Sequence, residues 1–339
     1  MTSQQTLKWG LLSTANINRA LIGPIRDADR SELVGVASRR LDRARAYAQE
    51  WEISKAYGSY EDMLGDPEID VVYISLPNAL HEKWTVKAAE AGKHVLCEKP
   101  IVPTVAALDL VAAAAKANDV TVFEAFMYLH HPQALKVAEM IADGRLGQVQ
   151  LINSWFSFYL PPENSDNIRL SKDLAGGATW DVGVYPNSMS LTMAQAAGAG
   201  DLPLEVWAQQ IVGETGVDVT MIAQMKFAKD LTAQIVAGFR MPFRVGTIIV
   251  GDEGTITIPQ PWKPGMDYAE SEILFATRQG DEERIAIEGI DPYLCEVQAM
   301  EACVLDGADP VVPLSRSRDF LRSVLAIYES ARTGQPAAL

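Results

Sequence analysis

A lysine held between a glutamate and a proline, in Cys97-Glu98-Lys99-Pro100, follows directly on the apolar run His94-Val95-Leu96. The run predicts a buried strand, and open α/β sheets bind their ligands just beyond the carboxyl ends of such strands. Lys99 is therefore a candidate for catalysis, with Glu98 and Lys99 as candidate cofactor contacts. The alternative interpretation is a surface lysine beside a loop proline.

Asp181 and Tyr185 form a second candidate pair, four residues apart after Gly176-Gly177. On an α-helix this spacing places both side chains on one face, so a carboxylate and a phenol could converge on one ligand. The alternative is an ordinary helix N-terminus, with Asp181 at the favourable end of the helix dipole and Tyr185 at the edge of the core.

The first predicted strand, residues 7–12, leads into a turn of small residues at the position where dinucleotide-binding proteins carry a glycine-rich fingerprint. Small side chains still let the backbone approach a pyrophosphate at a helix N-terminus. The expected cofactor contacts in this turn are Ser13, Thr14, Ala15, Asn16 and Ile17.

The second predicted strand, residues 33–37, ends at Ser38-Arg39-Arg40, where an NAD-binding sheet normally has an acid for the ribose 2′-hydroxyl. A serine hydroxyl and an arginine fork suit a 2′-phosphate instead. The residues therefore favour NADP over NAD. A later turn offers further expected cofactor contacts, namely Ser75, Leu76, Pro77, Asn78 and His81. The alternative for His81 is capping or packing in the next helix.

Composition limits the possible partners and compartments. The 339 residues are 48% hydrophobic, enough for two domains with separate cores. A net charge of −15 opposes contact with nucleic acid or anionic lipid, and no run approaches the ~18 apolar residues that span a bilayer. The first six residues lack a signal-peptide pattern, and Cys97, Cys295 and Cys303 have neither disulfide nor metal-site spacing. We expect a cytoplasmic protein without a metal.

The order of strands and helices predicts an α/β chain of two domains. In residues 1–128, strands at 7–12, 33–37, 71–74, 94–96 and 120–123 alternate with helices at 42–51, 81–91 and 105–117. This order predicts a Rossmann domain with a doubly wound parallel sheet. In residues 129–339, longer strands are expected at 148–159, 204–212, 218–227, 231–239, 245–250 and 255–258, with a closing helix at 315–332. They predict an α+β domain with a large, mostly antiparallel, open-faced sheet that binds substrate and mediates oligomerisation.

The open face of the second sheet needs cover, which predicts a homodimer or homotetramer. The aromatic strand Trp155-Phe156-Ser157-Phe158-Tyr159 suits core or subunit packing better than sugar stacking.

In order and spacing, these motifs resemble the Gfo/Idh/MocA oxidoreductase family across nearly the whole chain. The resemblance rests on Glu98-Lys99-Pro100, the turn from Ser75 to His81, Glu124-Ala125-Phe126-Met127 and the Gly-Gly…Asp181…Tyr185 segment. The chain is most similar to the group of dimeric dihydrodiol dehydrogenases and NADP-dependent D-xylose 1-dehydrogenases. This implies a Rossmann domain with an open-faced sheet, and a sugar or vicinal diol as substrate. Tyr185 stands where many relatives have His, and Leu129 where Arg is common.

Hydride transfer from a carbinol carbon needs a group that accepts the hydroxyl proton. We expect Tyr185 to exchange this proton, Lys99 to hold the substrate oxygen and favour the phenolate, and Asp181 to orient Lys99 or a hydroxyl. Lys99 as the base is the opposite assignment. Two alternatives remain: an NAD(P)-dependent glycosidase that oxidises its sugar transiently, and a non-catalytic NADP-binding regulator.

Overall fold

The computed structural model describes residues 5–164 and 166–339, so four of the six residues used to judge the N-terminus lie outside the described residues. The chain forms two compact units, Met1–Met127 with Tyr293–Ser317 and Tyr128–Pro292 with Arg318–Leu339. The sequence-based ranges had placed residues 293–317 in the C-terminal domain. They group with the first unit because their side chains bond to it: Glu301 accepts the backbone N–H of Arg30 at 3.0 Å and the hydroxyl of Ser31 at 2.7 Å.

The first unit is built on a parallel sheet. Its elements are β1 (Leu7–Leu11), α1 (Asn18–Asp27), β2 (Ser31–Ala37), α2 (Leu41–Glu50), β3 (Lys55–Tyr57), α3 (Tyr60–Leu64), β4 (Val71–Ile74), α4 (His81–Glu90), β5 (His94–Glu98), α5 (Val105–Ala117) and β6 (Val122–Ala125). All pairings are parallel, in the order β3-β2-β1-β4-β5-β6. This is the doubly wound order of a Rossmann sheet, and it confirms the predicted fold class.

Short elements at the edge of this sheet were not predicted. The strand β3 has only three half-buried residues, and its Lys55 forms ion pairs with Asp66 and Glu68 at 2.8 and 2.6 Å. A half-buried strand with a charged residue lacks the apolar run that identifies β4, whose four residues are all buried.

The second unit is built on a nine-stranded sheet. Its elements are α6 (Pro132–Ala142), β7 (Val149–Tyr159), α7 (Val184–Ala196), β8 (Glu205–Val212), β9 (Asp218–Lys226), β10 (Thr232–Gly238), β11 (Arg240–Gly251), β12 (Gly254–Ile258), β13 (Ser271–Thr277), β14 (Glu282–Ile287) and β15 (Ala337–Ala338). The C-terminal region also contains α8 (Pro292–Asp306) and α9 (Leu314–Thr333).

The order in the second sheet is β14-β13-β12-β11-β7-β10-β9-β8-β15. Its pairings are antiparallel except β7 with β10, which run parallel, so the predicted mostly antiparallel sheet is confirmed. Lys229 and Asp230, both with positive φ, form the predicted turn between β9 and β10.

The two faces of this sheet differ. Along β8 and β9, Val206, Met221 and Met225 are buried, whereas their neighbours Trp207 and Ile222 are 51% exposed. The period-two alternation therefore leaves an apolar surface on one side. Within the residues described, no helix is long and apolar enough to cross a membrane.

Candidate functional site

The turn after β1 is held by a network of small polar side chains. The hydroxyls of Ser13 and Ser75 lie 2.6 Å apart, and Ser75 also donates to Asn18 Oδ1 at 2.6 Å. Asn18 Nδ2 in turn donates to the carbonyl of Ser13 at 2.8 Å. The network joins the ends of β1 and β4, and it fixes a turn in which Thr14, Ala15, Asn16 and Ile17 keep exposed surface.

Asn18 is fully buried and stands where the third glycine of the dinucleotide-binding fingerprint is usual. It is the first residue of α1, so its side chain connects the start of this helix to the turn after β1.

The end of β2 carries one paired and one unpaired arginine. Arg40 forms an ion pair with Asp42, whereas Arg39 is exposed and makes no ion pair with any residue that the structure describes. Ser38 is buried and its hydroxyl accepts the backbone N–H of Arg40 at 3.4 Å. No acid stands at this strand end, so the donors present fit a 2′-phosphate better than a 2′-hydroxyl.

His81 joins two turns of the first unit. Its Nδ1 lies 2.8 Å from the carbonyl oxygen of Pro100, and its Nε2 lies 2.7 Å from that of Leu76. The side chain has no exposed surface, and this burial lowers its pKa. The imidazole is enclosed by the turns after β4 and β5 and holds them together, which is the packing role given above as the alternative for His81, and its contact with the cofactor stays a prediction.

Lys99 follows β5 and is half-buried, and its peptide bond to Pro100 is cis. The preceding Glu98 accepts a hydrogen bond from the hydroxyl of Tyr73 on β4. Glu98 also faces a second acid, Glu296 of α8, whose two oxygens are buried without a hydrogen-bond partner among the described residues. Burial and the nearby Glu98 raise the pKa of Glu296 well above its ordinary value.

The predicted cofactor contacts thus lie after β1, β2, β4 and β5. These strands are neighbours in one parallel sheet, so their carboxyl ends share an edge. Asn78 and Pro77, in the turn after β4, are half-buried at this edge.

The second unit contributes Asp181 and Tyr185, but not from one continuous α-helix. Thr179–Gly183 form a π-helical turn, in which the N–H of Val184 bonds back to the carbonyl of Thr179. Tyr185 then lies in the first turn of α7. Single π-helical turns within helices are frequent at functional sites.

A buried carboxylate anchors this turn. Asp218 of β9 bonds to Thr179 at the start of the π-helical turn, and the hydroxyl of Tyr328 donates to it from α9. Gly177 makes the close approach possible, because its φ is +132° and a Cβ there would lie 2.2 Å from Asp218 Oδ1.

Asp181 pairs with an arginine that the sequence analysis did not consider. Arg169 Nε lies 2.7 Å from Asp181 Oδ2, and the Asp181 side chain is 17% exposed. The negative charge of Asp181 is thereby balanced within the second unit, and the carboxylate is held at one orientation.

Tyr185 lies in a cluster of aromatic rings. The ring centroids of Tyr128, Phe156 and Trp262 are 5.9, 5.5 and 5.7 Å from that of Tyr185. Phe156 also stacks on Trp262 at 6.1 Å, and the exposed Phe243 continues the cluster at 6.4 Å from Phe156. Tyr128, Trp262 and Tyr185 are buried within the cluster, whereas Phe156 is half-buried and Phe243 is exposed.

Tyr128 and Trp262 were not predicted as site residues. Tyr128 directly follows the motif Glu124-Ala125-Phe126-Met127, but Trp262 lies in a loop with no motif. Only the packing of distant segments brings its ring to Tyr185.

Sequence comparisons agree with this description. Residues 7–126 match the oxidoreductase family with an NAD-binding Rossmann fold (GFO_IDH_MocA), and residues 134–257 match the GFO/IDH/MocA C-terminal domain. D-xylose 1-dehydrogenase (NADP(+)) 2 of Haloferax volcanii is 36% identical, over 98% of this chain and 100% of that protein. Trans-1,2-dihydrobenzene-1,2-diol dehydrogenase of Danio rerio is 32% identical, over 76% of each chain.

A solved structure is similar over almost the same span. The 3-ketoreductase KijD10 of Actinomadura kijaniata, in complex with NADP and TDP-benzene, is 26% identical with a TM-score of 0.87, over 96% of this chain and 98% of that one. The two family domains, the identity to full-length relatives and the shared fold together show that this chain belongs to the GFO/IDH/MocA oxidoreductase family.

Proposed function

We propose that this protein transfers a hydride between NADP and a carbinol carbon of a sugar or vicinal diol. The observation that carries the proposal is the carboxyl edge of the first sheet, where Arg39, which makes no ion pair with the residues described, follows β2 and Lys99 follows β5. A Rossmann edge binds a dinucleotide, and the unpaired guanidinium suits its 2′-phosphate.

NADP fits the residues at this edge. Arg39 and Ser38 would bind the 2′-phosphate, and the turn after β1 would bind the pyrophosphate through its backbone N–H groups. The NADP in the name of the Haloferax volcanii relative and in the KijD10 complex supports this choice over NAD. When bound, the nicotinamide supplies the hydride acceptor or donor.

The substrate class is supported by the second unit and by the relatives. The half-buried Phe156 next to Tyr185 and the exposed Phe243 suit the apolar faces of a ring, while Asp181 and the phenol offer hydrogen bonds to hydroxyls. The names of the relatives include a D-xylose dehydrogenase, a dihydrodiol dehydrogenase and a sugar-processing 3-ketoreductase. Sugars and vicinal diols share the neighbouring hydroxyls that such a site would hold.

In the proposed reaction, Tyr185 exchanges the proton of the substrate hydroxyl. Lys99 holds the same oxygen, and its positive charge favours the phenolate form of Tyr185. Asp181, fixed by Arg169, orients the substrate through a neighbouring hydroxyl. The alternative is that Lys99 is the base. The variants Lys99→Ala and Tyr185→Phe distinguish the two assignments.

The test is a substrate screen with purified protein. NADP is supplied with aldoses, polyols and cyclic diols, and reduced nicotinamide is followed by absorbance, with Lys99→Ala as the inactive control. Absorbance that grows in proportion to oxidised substrate supports the dehydrogenase. Product release from glycosides without net reduction would support a glycosidase, and NADP binding without turnover on any substrate would support a regulator.

We also propose that the first unit binds the dinucleotide, and that the second binds substrate and forms a homodimer or homotetramer through its open sheet face. The exposed apolar side chains Trp207, Ile211 and Ile222 support a subunit interface there. The cytoplasm is the proposed compartment, since Cys97, Cys295 and Cys303 are all free thiols.

A further inference from the structure

Glu124 holds the turn that carries Lys99. It lies on β6 beside Cys97 of β5 in the parallel ladder, and its side chain is only 3% exposed. Its Oε1 accepts the backbone N–H of Ile101 at 3.0 Å. Because Ile101 is two residues after Lys99, this one bond fixes the exit of the chain from β5.

The second carboxylate oxygen of Glu124 does not hold the turn. Oε2 is buried without a hydrogen-bond partner among the described residues. The hydroxyl of Ser317 is close enough to favour the ionised carboxylate but does not meet hydrogen-bond geometry. An amide could accept the same Ile101 N–H without the cost of burying a charge, so the bond alone does not account for a carboxylate here.

The surroundings of Glu124 make its charge variable near neutral pH. Burial is the main reason that the pKa of Glu124 is raised to about 7, and Glu98 raises it further. Ser317, the Ile101 N–H and the Lys99 ammonium act in the opposite direction. The thiol of Cys97, which also faces Glu124, is neutral because burial raises its pKa. Lys99 is thus the cation that stabilises the ionised form.

We propose that Glu124 is a positioning residue for Lys99, one that holds the turn after β5 through the Ile101 N–H and supplies a buried carboxylate whose charge acts on the ammonium. With Glu124 ionised, its carboxylate attracts the Lys99 ammonium and favours the position in which Lys99 holds the substrate oxygen. With Glu124 protonated, that counter-charge is lost and turnover falls. The catalytic part of this inference rests on the proposed dehydrogenase function, whereas the charge coupling does not.

The first experiment follows the coupling without any enzyme assay. Carboxyl-¹³C glutamate is incorporated, and the Glu124 signal is assigned by its loss in Glu124→Gln. In the wild type it should titrate near neutral pH, and in Lys99→Met its midpoint should rise by at least about half a pH unit. Lys116→Met, which removes an exposed lysine of α5, should leave it unchanged. An identical midpoint in Lys99→Met and the wild type would overturn the inference.

The second experiment measures kcat/KM against pH. The wild type should lose activity as pH falls through about 7. Glu124→Gln should not show this pH-dependent loss, and above pH 7 its kcat/KM should be about ten- to hundredfold lower than that of the wild type, with NADP binding intact. Glu124→Asp keeps a carboxylate and should restore the pH-dependent loss. Glu301→Gln, the same change at another buried acid of the first unit, should match the wild type.

The outcomes separate the two proposals. A Glu124→Gln profile that superimposes on that of the wild type refutes the positioning role. If Glu124→Gln does not fold, the Glu124→Asp profile and the Lys99→Met titration decide the question. If the wild type oxidises no sugar or diol, the proposed function fails, and the titration still decides whether Glu124 and Lys99 are coupled.

Discussion

The carboxylate of Asp218 accepts two hydrogen bonds from Thr179, from its backbone N–H at 2.8 Å and from its hydroxyl at 2.7 Å. The other oxygen of Asp218 accepts the hydroxyl of Tyr328 at 2.7 Å. Thr179 begins the π-helical turn that carries Asp181, so a buried group on β9 fixes the segment that leads to Tyr185. The position of the candidate phenol therefore depends on a residue that never needs to touch substrate.

Asp218→Ala leaves three donors in the second unit without their acceptor. Unpaired buried donors are costly, so the free energy of unfolding should fall by about 3 kcal/mol. Urea unfolding at neutral pH measures this, and Asp29→Ala, at an exposed position, serves as the control. A loss no larger than that of the control would mean that the three hydrogen bonds contribute nothing to stability.

Arg39→Asp should weaken NADP binding by about 1.5–3 kcal/mol, which is the value of a charge-assisted hydrogen bond, while NAD binding is retained. Titration calorimetry with both cofactors measures the difference. Arg43→Asp makes the same charge change on the following helix and should affect both cofactors little. Equal losses of NADP and NAD affinity in Arg39→Asp would contradict a role at the 2′-phosphate.

Lys99→Ala and Tyr185→Phe should each lower kcat by roughly 10²–10⁴, because positioned proton transfer is worth about that factor. NADP binding should be almost unchanged in both variants. The double variant should lose much less than the product of the two factors, as residues that act together do. Near-normal turnover of Tyr185→Phe on a confirmed substrate would assign the phenol to packing and the proton to Lys99, alone or with Asp181.

The open face of the second sheet should mediate self-association. Light scattering should give a multiple of the 37.0 kDa chain mass, and Trp207→Asp with Ile222→Asp should return the mass to that of one chain. Both side chains are 51% exposed, and a charge there opposes apolar contact. Leu110→Asp, on an exposed position of α5, is the control. A wild-type mass of 37.0 kDa at micromolar concentration would argue against the interface.

Glu124 should also make stability depend on pH. Its pKa is about 7 in the folded protein and 4.5 in its ordinary state, so the fold binds this proton more tightly than the unfolded chain does. Its contribution is therefore most favourable below about pH 4.5 and falls by about 3 kcal/mol as pH rises through 7. Urea unfolding at about pH 5 and pH 8 should show this loss in the wild type relative to Glu124→Gln. If the difference in free energy of unfolding between the wild type and Glu124→Gln were the same at both pH values, Glu124 would not be the source of the pH dependence.

Strands buried on both faces could be predicted closely from the sequence. The range 71–74 coincides with β4, and the range 105–117 coincides with α5, because an uninterrupted apolar run and an alanine-rich helix are unambiguous. The strands β13 and β14 were missed, since β14 is mostly exposed and carries Glu282, Glu283 and Arg284. The pairing of β14 is decided by tertiary contacts that leave no local apolar pattern, whereas β13 has alternating buried residues, Ile273 and Phe275, that the sequence analysis overlooked.

The candidate site was predictable where its residues follow strands in sequence. Lys99 and Ser38 could be found because a strand end precedes each of them. Trp262 and Arg169 could not, since each meets its partner across a long stretch of chain and lies in no motif. For His81 the sequence left two roles open, a ligand contact or packing, and the structure shows a ring enclosed by the two turns that it joins.

The π-helical turn at Thr179–Gly183 means that this segment holds one residue more than an α-helix of the same span would need. Loss of a single residue there would convert the wide turn to an ordinary α-helical one and leave the flanking chain close to its present direction. The extra residue therefore widens the turn between Thr179 and Val184 without redirecting the helix that follows. The length of this segment thus sets the spacing between the Asp181 carboxylate and the Tyr185 phenol.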